Sequence, residues 1–408
     1  MSTEWRQSTW GDEISLEYGK AIRGYQDSVA PFRVFGSNGP IGWTENALAQ
    51  GPGVILGRKG AYRGVHFSRD PFFVIDTAYY VKPKSDLDMR WLYYAIIHHK
   101  LGEIDDGSPI PSTTRAAVYV RDVEVPPLPE QRAIAATLGA LDDKIELNRK
   151  MNATLEAMAR ALFRDWFVDF GPTRARMAGS APYLSPDLWA LFPDRLDDEG
   201  KPEGWEEKGL LDLATLISGG TPKTDKAEYW NGDIPWASAK DVSQCKDAFL
   251  IETERSISES GLKNSATKII PKYATAVVAR GATTGRSCMF GSDIAMNQTC
   301  YALTSRSDHP FWLNCAFREL VDRLVNAAHG SVFDTITTRT IEAVSLVQDS
   351  MELRNPFEHM VTPLFQRLLA NVIESRTLAQ TRDLLLPRLM SGDLRVADLA
   401  ASERETAA

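Results

Sequence analysis

The chain has 408 residues, 43% of them hydrophobic, which is too long for one ordinary domain and enough to give two domains a core each. Lys and Arg number 46 against 54 Asp and Glu, a net charge of -8, which excludes a chain that grips a polyanion by bulk charge alone; such a grip needs basic groups gathered on one face or supplied by partners. Residues Met1 to Gln7 lack a basic-then-apolar leader, no uncharged apolar run approaches the roughly 18 residues of a membrane span, and Cys245, Cys288, Cys300 and Cys315 show no CxxC spacing, so a soluble, cytoplasmic chain without membrane contact, disulfide framework or zinc site is expected.

In chain order, Gly53 to Leu56, Phe72 to Ile75 and Ala78 to Val81 read as short strands between Gly, Asn, Pro and Ser clusters, and Trp91 to Lys100 reads as an amphipathic helix. From Glu130 to about Asp169 the chain has few breakers. Apolar residues recur there at steps of four and three through Ile134, Leu138, Leu141, Ile145, Asn148, Asn152, Leu155, Ala159, Leu162 and Trp166, a coiled-coil seam. After a Pro-, Gly- and acid-rich connector the plan repeats, with strands at Ala274 to Val278 and Cys300 to Leu303 and a helix over Phe311 to Ala327.

The repetition is visible in the residues themselves. Gly60, Ala61 and Gly64 recur as Gly281, Ala282 and Gly285 at an offset of 221, which carries Asp76 and Tyr80 onto Asn297 and Tyr301. Gly107-Ser108 then matches Gly330-Ser331, and Thr113-Thr114-Arg115 matches Thr337-Thr338-Arg339. An offset of 223 turns the seam into Phe357, Val361, Leu364, Leu368, Asn371, Ser375, Leu378, Arg382, Leu385 and Leu389, with Ala159 to Arg382 the one poor match. Leu16 and Gly24 align with Leu211 and Gly219 at 195, which makes the second copy about 26 residues longer before its core; the insertion holds Tyr229 to Trp236. A helix with one apolar stripe must bury it, and the economical partner is its own repeat, with the seam asparagines meeting near mid-length. The alternative is that each helix lies on its own domain.

Catalytic constellations are missing. Phe35-Gly36-Ser37-Asn38-Gly39 resembles a methyltransferase glycine loop, but no Asp/Asn-Pro-Pro-aromatic motif follows, so a structural turn is expected. Pro193-Asp194 with Glu199-Gly200-Lys201 imitates a nuclease signature on a connector rather than on neighbouring strands. No phosphate-cradling Gly-x-x-x-x-Gly-Lys-Ser/Thr loop exists, and His98-His99 has no acid or cysteine partner. What the sequence does offer is loops suited to nucleic acid, because glycines admit a close backbone approach and arginines bond guanine edges bidentately. The candidate DNA contacts are Ser37, Asn38, Arg58, Lys59, Tyr62 and Arg63 in the first half, and Thr221, Lys223, Ser238, Lys240, Arg280, Thr283, Thr284 and Arg286 in the second. Solvated turns are the competing reading for each.

Phe35 to Gly39, Gly57-Arg58-Lys59-Gly60, Asp76 to Tyr80, Pro127-Leu128-Pro129-Glu130-Gln131-Arg132, Phe163 to Phe170 and Leu386 to Gly392 together resemble type I restriction-modification specificity subunits, over essentially the whole chain. One departure is Val347 to Leu353, which replaces the Pro-Leu-Pro-Glu-Gln run. The resemblance implies an α+β chain of two tandem α/β target-recognition domains (1–128 and 205–350), long spacer helices (129–170 and 351–396) packing as an antiparallel coiled coil, a connector (171–204) and a flexible tail (397–408). It also implies no catalysis by this chain and no bound cofactor or metal. Each domain would read half of a bipartite site in double-stranded DNA, and the helices would dock two modification subunits carrying S-adenosylmethionine. Motor-nuclease restriction subunits, with ATP and Mg, would join through these. The helix pair would then act as a ruler for the spacer. A stand-alone methyltransferase or nuclease with degenerate motifs, and a scaffold binding only protein, are the alternatives.

Overall fold

The computed structural model describes residues 5–26, 29–105, 107, 109–327, 336–342, 344–348 and 351–397. Ser108, Gly330, Ser331 and nearly all of the expected tail lie outside the described residues. The chain forms two compact units, residues 1–145 with 377–408 and residues 146–376, so each long helix gives one half to each unit.

In the first unit, strand Arg6–Thr9 pairs with Asp122–Val125, and a four-stranded antiparallel sheet runs in the order Ile14–Tyr18, Ala78–Pro83, Gly53–Gly57, Val65–Ser68. A smaller sheet joins Gly39–Thr44, Phe32–Gly36 and Phe72–Val74. The second unit repeats this with Glu206–Gly209 on Ser345–Gln348, a sheet in the order Ala214–Ser218, Cys300–Ser305, Thr275–Val278, Ser287–Phe290, Phe249–Leu250, and a smaller sheet built on Trp230–Ala237. In each small sheet one strand pair is parallel, Phe32–Gly36 with Phe72–Val74 and Trp230–Ala237 with Ile294–Met296.

Hydrogen-bond register corrects the repeat alignment. Strand Ile14–Tyr18 corresponds to Ala214–Ser218, so Gly19 matches Gly219 at an offset of 200, and Leu16 and Gly24 do not match Leu211 and Gly219. The reason for glycine is the same at both places: a Cβ would fall 2.0 Å from the Ile75 carbonyl oxygen in one unit and 2.1 Å from that of Asn297 in the other. Set against the offset of 221 in the core, the second unit's insertion is therefore 21 residues, not 26. Similarly, Leu56 lies opposite Tyr79 and Val277 opposite Tyr301, so the counterpart of Tyr301 is Tyr79 and not Tyr80, and Asp76 moves to Gln298. Thr114 and Thr337 each accept a backbone N–H to cap a short helix, which places Thr113 to Arg115 on Ile336 to Thr338, an offset of 223 rather than 224.

The long helices are Leu128–Phe167 and Met351–Met390, both 40 residues and 223 apart at both ends. The first stops where Phe170 takes a left-handed φ of 54°, the second at Gly392 with φ 74°. They pack together as an antiparallel pair within each unit. In the first, Asp142 pairs with Arg382 at 2.7 Å, and Leu389 and Met390 enter the core of Trp10, Trp91, Ile134 and Leu138. In the second, Asn152 accepts from Asn371 at 2.8 Å and Asn148 donates to Ser375 at 3.2 Å and Glu374 at 2.9 Å. The asparagines thus meet as expected, and such a polar layer penalises slipped pairings that would leave amides unbonded. Of the predicted seam, Leu138, Ile145, Asn148, Val361, Leu368 and Asn371 are buried, and Leu141, Leu155, Leu162, Leu364, Leu378 and Leu385 half-buried.

Helices Met89–His98 and Pro310–Ala327 are also equivalent, with Trp91-Leu92 and Ala95 recurring as Trp312-Leu313 and Ala316. Their N-termini are capped differently. Asp88 accepts from the N–H groups of Arg90 and Trp91, whereas Glu358 of the second long helix accepts from Phe311 at 2.9 Å and Trp312 at 2.8 Å. Burial pushes the Glu358 carboxyl up to about 7, from a usual value of 4.5, against these two hydrogen bonds. The folded chain therefore holds a proton that the unfolded chain has released, and stability falls as pH rises from about 4.5 to about 7, then levels off. Denaturant midpoints at pH 5.5 and 8 should show this fall in the wild type and a shallower one in Glu358→Gln; equal slopes would refute it.

The segment between the first long helix and Trp205 is part of the second unit, since Phe170, Phe192 and Trp205 lie in its core. Of its nuclease-like carboxylates, Glu199 pairs with Lys201, which also pairs with Asp197 at 2.7 Å, and Arg195, next to Asp194, pairs with Glu203. His99 packs edge-on against Trp10, with ring centroids 5.4 Å apart.

Candidate nucleic-acid interface

Three separate stretches of the first unit meet at one end of its sheets. The turn Ser37-Asn38 follows strand Phe32–Gly36, and the Ser37 carbonyl accepts from Gly64 at 2.8 Å while its hydroxyl donates to the Thr77 carbonyl at 2.6 Å. Gly57 donates to Gly64 at 2.8 Å, closing the loop that carries Arg58, Lys59, Tyr62 and Arg63. Gly60 sits at φ 108° in this loop, a conformation strained for any residue with a Cβ. Asn38 and Lys59 are exposed, and Tyr62 is 78% exposed. Arg58 is half-buried with its guanidinium 5.0 Å from the Tyr18 ring centroid. Arg63 behaves differently. Its guanidinium donates to the carbonyls of Gly60, Gly102 and Ile104 at 2.7, 3.1 and 3.1 Å, so it holds the loop's shape from beneath.

The second unit builds the same frame from other side chains. Gly281 adopts φ 104°, matching Gly60, and Gly285 donates to Val278 at 3.0 Å. Arg280, Thr283 and Arg286 are exposed, while the Thr284 hydroxyl donates to the Gly281 carbonyl at 2.7 Å. Thr221 and Lys223 are exposed nearby, Thr221 donating to Gln298, and Asn297 donates to Ala237 at 2.9 Å, bringing Trp236 to Lys240 to the same end. Ser238 caps helix Ala239–Gln244 through a mutual bond with Asp241, and Lys240 pairs with Glu254 at 2.6 Å. Both are therefore committed to local structure, whereas Lys223, Arg280 and Arg286 are exposed and make no ion pair among the described residues.

Among the described residues no group of His, Cys, Asp and Glu is placed to hold a metal ion, and no helix is long and apolar enough to cross a membrane. Cys288, Cys300 and Cys315 are buried, and Cys245 packs beside Cys288.

The two loop ends stand on one duplicated frame, alike in backbone and different in side chains, which defines a tandem-repeat protein. The chain matches the type I restriction modification DNA specificity domain twice, over residues 23–157 and 202–346, and belongs to that family as a non-catalytic specificity subunit. It is 26% identical over 390 residues to the type I restriction enzyme HindI specificity subunit of Haemophilus influenzae, covering 82% of this chain and 84% of that one. Identity is again 26%, over 405 residues, to the MjaIX specificity subunit of Methanocaldococcus jannaschii, with coverage of 96% and 89%. The fold is similar to the crystal structure of the type I restriction-modification S subunit from M. genitalium, with a TM-score of 0.61, 16% identity, and coverage of 96% and 97%.

Proposed function

We propose that this chain reads a bipartite target in double-stranded DNA, one domain per half-site, with the paired helices setting the unspecified spacer and docking two modification subunits. S-adenosylmethionine, ATP and Mg belong to the partners in this reading, with restriction subunits joining through the modification subunits, in the cytoplasm. The observation that supports it best is the duplicated loop with Gly60 and Gly281 at φ 108° and 104°, each flanked by cations and each carrying different side chains. A shared frame with divergent side chains is what reading two unlike half-sites requires.

Mapping methylated adenines in cells with and without the chain tests this directly. Methylation is expected at two specified runs of bases separated by a fixed spacer. Arg58→Ala should relax one run and Arg280→Ala or Arg286→Ala the other, each by about 1–3 kcal/mol of discrimination at one position. Arg63→Ala should disturb the same run as Arg58→Ala, by loosening the loop. Identical methylation in all four variants would remove both loops from the interface.

A further inference from the structure

Tyr18 ends strand Ile14–Tyr18 with 48% of its surface exposed, and two guanidinium groups flank it: Arg115 lies 4.2 Å and Arg58 5.0 Å from its ring centroid. Both are also 5.9 Å from the buried ring of Tyr79, which is tilted against Tyr18 at 5.1 Å. Burial and a hydrogen bond with Tyr18 push the Tyr79 hydroxyl up to about 12, so the Tyr79 ring stays neutral.

The backbone beneath the pair is fixed. Arg58 donates to the Thr77 carbonyl at 2.9 Å, and its own carbonyl accepts from Thr113 at 2.9 Å, two residues before Arg115. Thr114 caps the helix that Arg115 begins. Two like charges held against one pair of rings repel each other, and the counter-charge on Arg115 is Glu17 at 4.0 Å, with both side chains about a third exposed. The Nε of Arg115 is buried with no hydrogen-bond partner among the described residues. Two neighbouring guanidinium groups with one carboxylate between them, at 4.0 Å from Arg115, favour a ligand rich in acceptors.

Stacking also selects which acceptor. A guanidinium laid on an aromatic ring has its plane set, so its N–H groups project as an oriented fork, which matches the paired N7 and O6 acceptors of guanine. The exposed Lys59 alongside is a point charge suited to phosphate. In the second unit the equivalent positions are Ser218, Ala279, Tyr301 and Thr338, so the buried Tyr79 ring survives as Tyr301 while the Tyr18 ring and both cations are lost.

We propose that Arg115 and Tyr18 join Arg58 in a double-guanidinium clamp that reads guanine within the half-site of the first domain, Arg115 being a specificity-determining residue and Tyr18 its platform. This rests on the first domain's assignment as the reader of one half-site. The test is selection of full-length chain, wild type and variants, on a randomised duplex library at two salt concentrations. Arg115→Lys keeps the charge but loses fork and stack. It should lower guanine preference at one position of one run on the order of 10-fold and leave the other run intact. Tyr18→Ala should do the same and Tyr18→Phe should not, because the ring face carries the stack. Full guanine preference in Arg115→Lys with an unchanged melting temperature would overturn the clamp. So would uniform weakening on all duplexes with a salt slope reduced by about 1, the signature of a phosphate contact. A wild-type chain that enriches no sequence would instead overturn the recognition reading, and the clamp with it.

Discussion

Truncating Phe357 to alanine is expected to destabilise the second unit by about 4–5 kcal/mol, the upper part of the range for a buried phenylalanine. Phe357 has no exposed surface and stands among Phe167, Phe163 and Trp166, with ring centroids 5.3, 5.8 and 5.9 Å away, all near edge-on. These rings belong to the first long helix and Phe357 to the second, so one side chain anchors the helix pair in this unit. How much a truncated site recovers depends on whether its walls can close in. Here they cannot do so at a gain, because Phe163, Phe167 and Trp312 already line a cavity of about 210 Å³ on another side. Moving them into the new space would enlarge the old one. Phe357→Leu, which keeps most of the volume, should lose only about 1–2 kcal/mol. Equilibrium urea unfolding followed by tryptophan fluorescence measures both, and a loss below about 1.5 kcal/mol for the alanine variant would show that the cluster does not carry the pairing.

The helices were the most legible part of the chain because a seam is a local periodic signal. Burial every three or four residues must be written into consecutive turns, so the offset of 223 holds from Leu128 and Met351 to Phe167 and Met390. Even the departure at Val347 to Leu353 leaves the second helix beginning at the equivalent residue, Met351. Strand equivalence was less legible. Which residue of a strand faces which partner is decided by hydrogen bonds to a segment far along the chain, and short identities such as Leu16 with Leu211 carry no information about that. The loops were found by their glycines and cations, but the task of each cation was not. Arg58 and Arg63 look alike in sequence, yet one lies on tyrosine rings and the other is consumed by three carbonyls, two of them about 40 residues away. Arg115 and Tyr18 gave no local signal, since 97 residues separate them.

The seam's one poor match, Ala159 against Arg382, is part of an exchange of three residues. In the first unit Arg382 pairs with Asp142 at 2.7 Å, and Asp142 also accepts from the buried Tyr94 hydroxyl at 2.5 Å. The equivalent positions in the second unit are Ala159, Phe365 and Cys315, all buried in one apolar cluster. A bonded polar trio thus occupies the place where the other unit has an apolar one, and neither half of such a trade works alone. Asp142→Ala leaves the buried Tyr94 hydroxyl without its acceptor and takes one of two carboxylates from Arg382, which keeps Asp383 at 2.7 Å, so it should cost about 1–2 kcal/mol, moderated by the 28% and 21% exposure of the Arg382 and Asp142 side chains. Transplanting the second unit's residues, as Tyr94→Cys, Asp142→Phe and Arg382→Ala together, should bring stability back to within about 1 kcal/mol of wild type. Replacing a satisfied ion pair with well-packed apolar groups is often neutral, whereas removing one partner is not. The interaction energy from a cycle of single and combined variants, read from denaturant midpoints, should therefore be large and favourable. If the three losses simply add, the two trios are not alternative solutions to one packing problem, and the mismatch at Arg382 has no compensating partner.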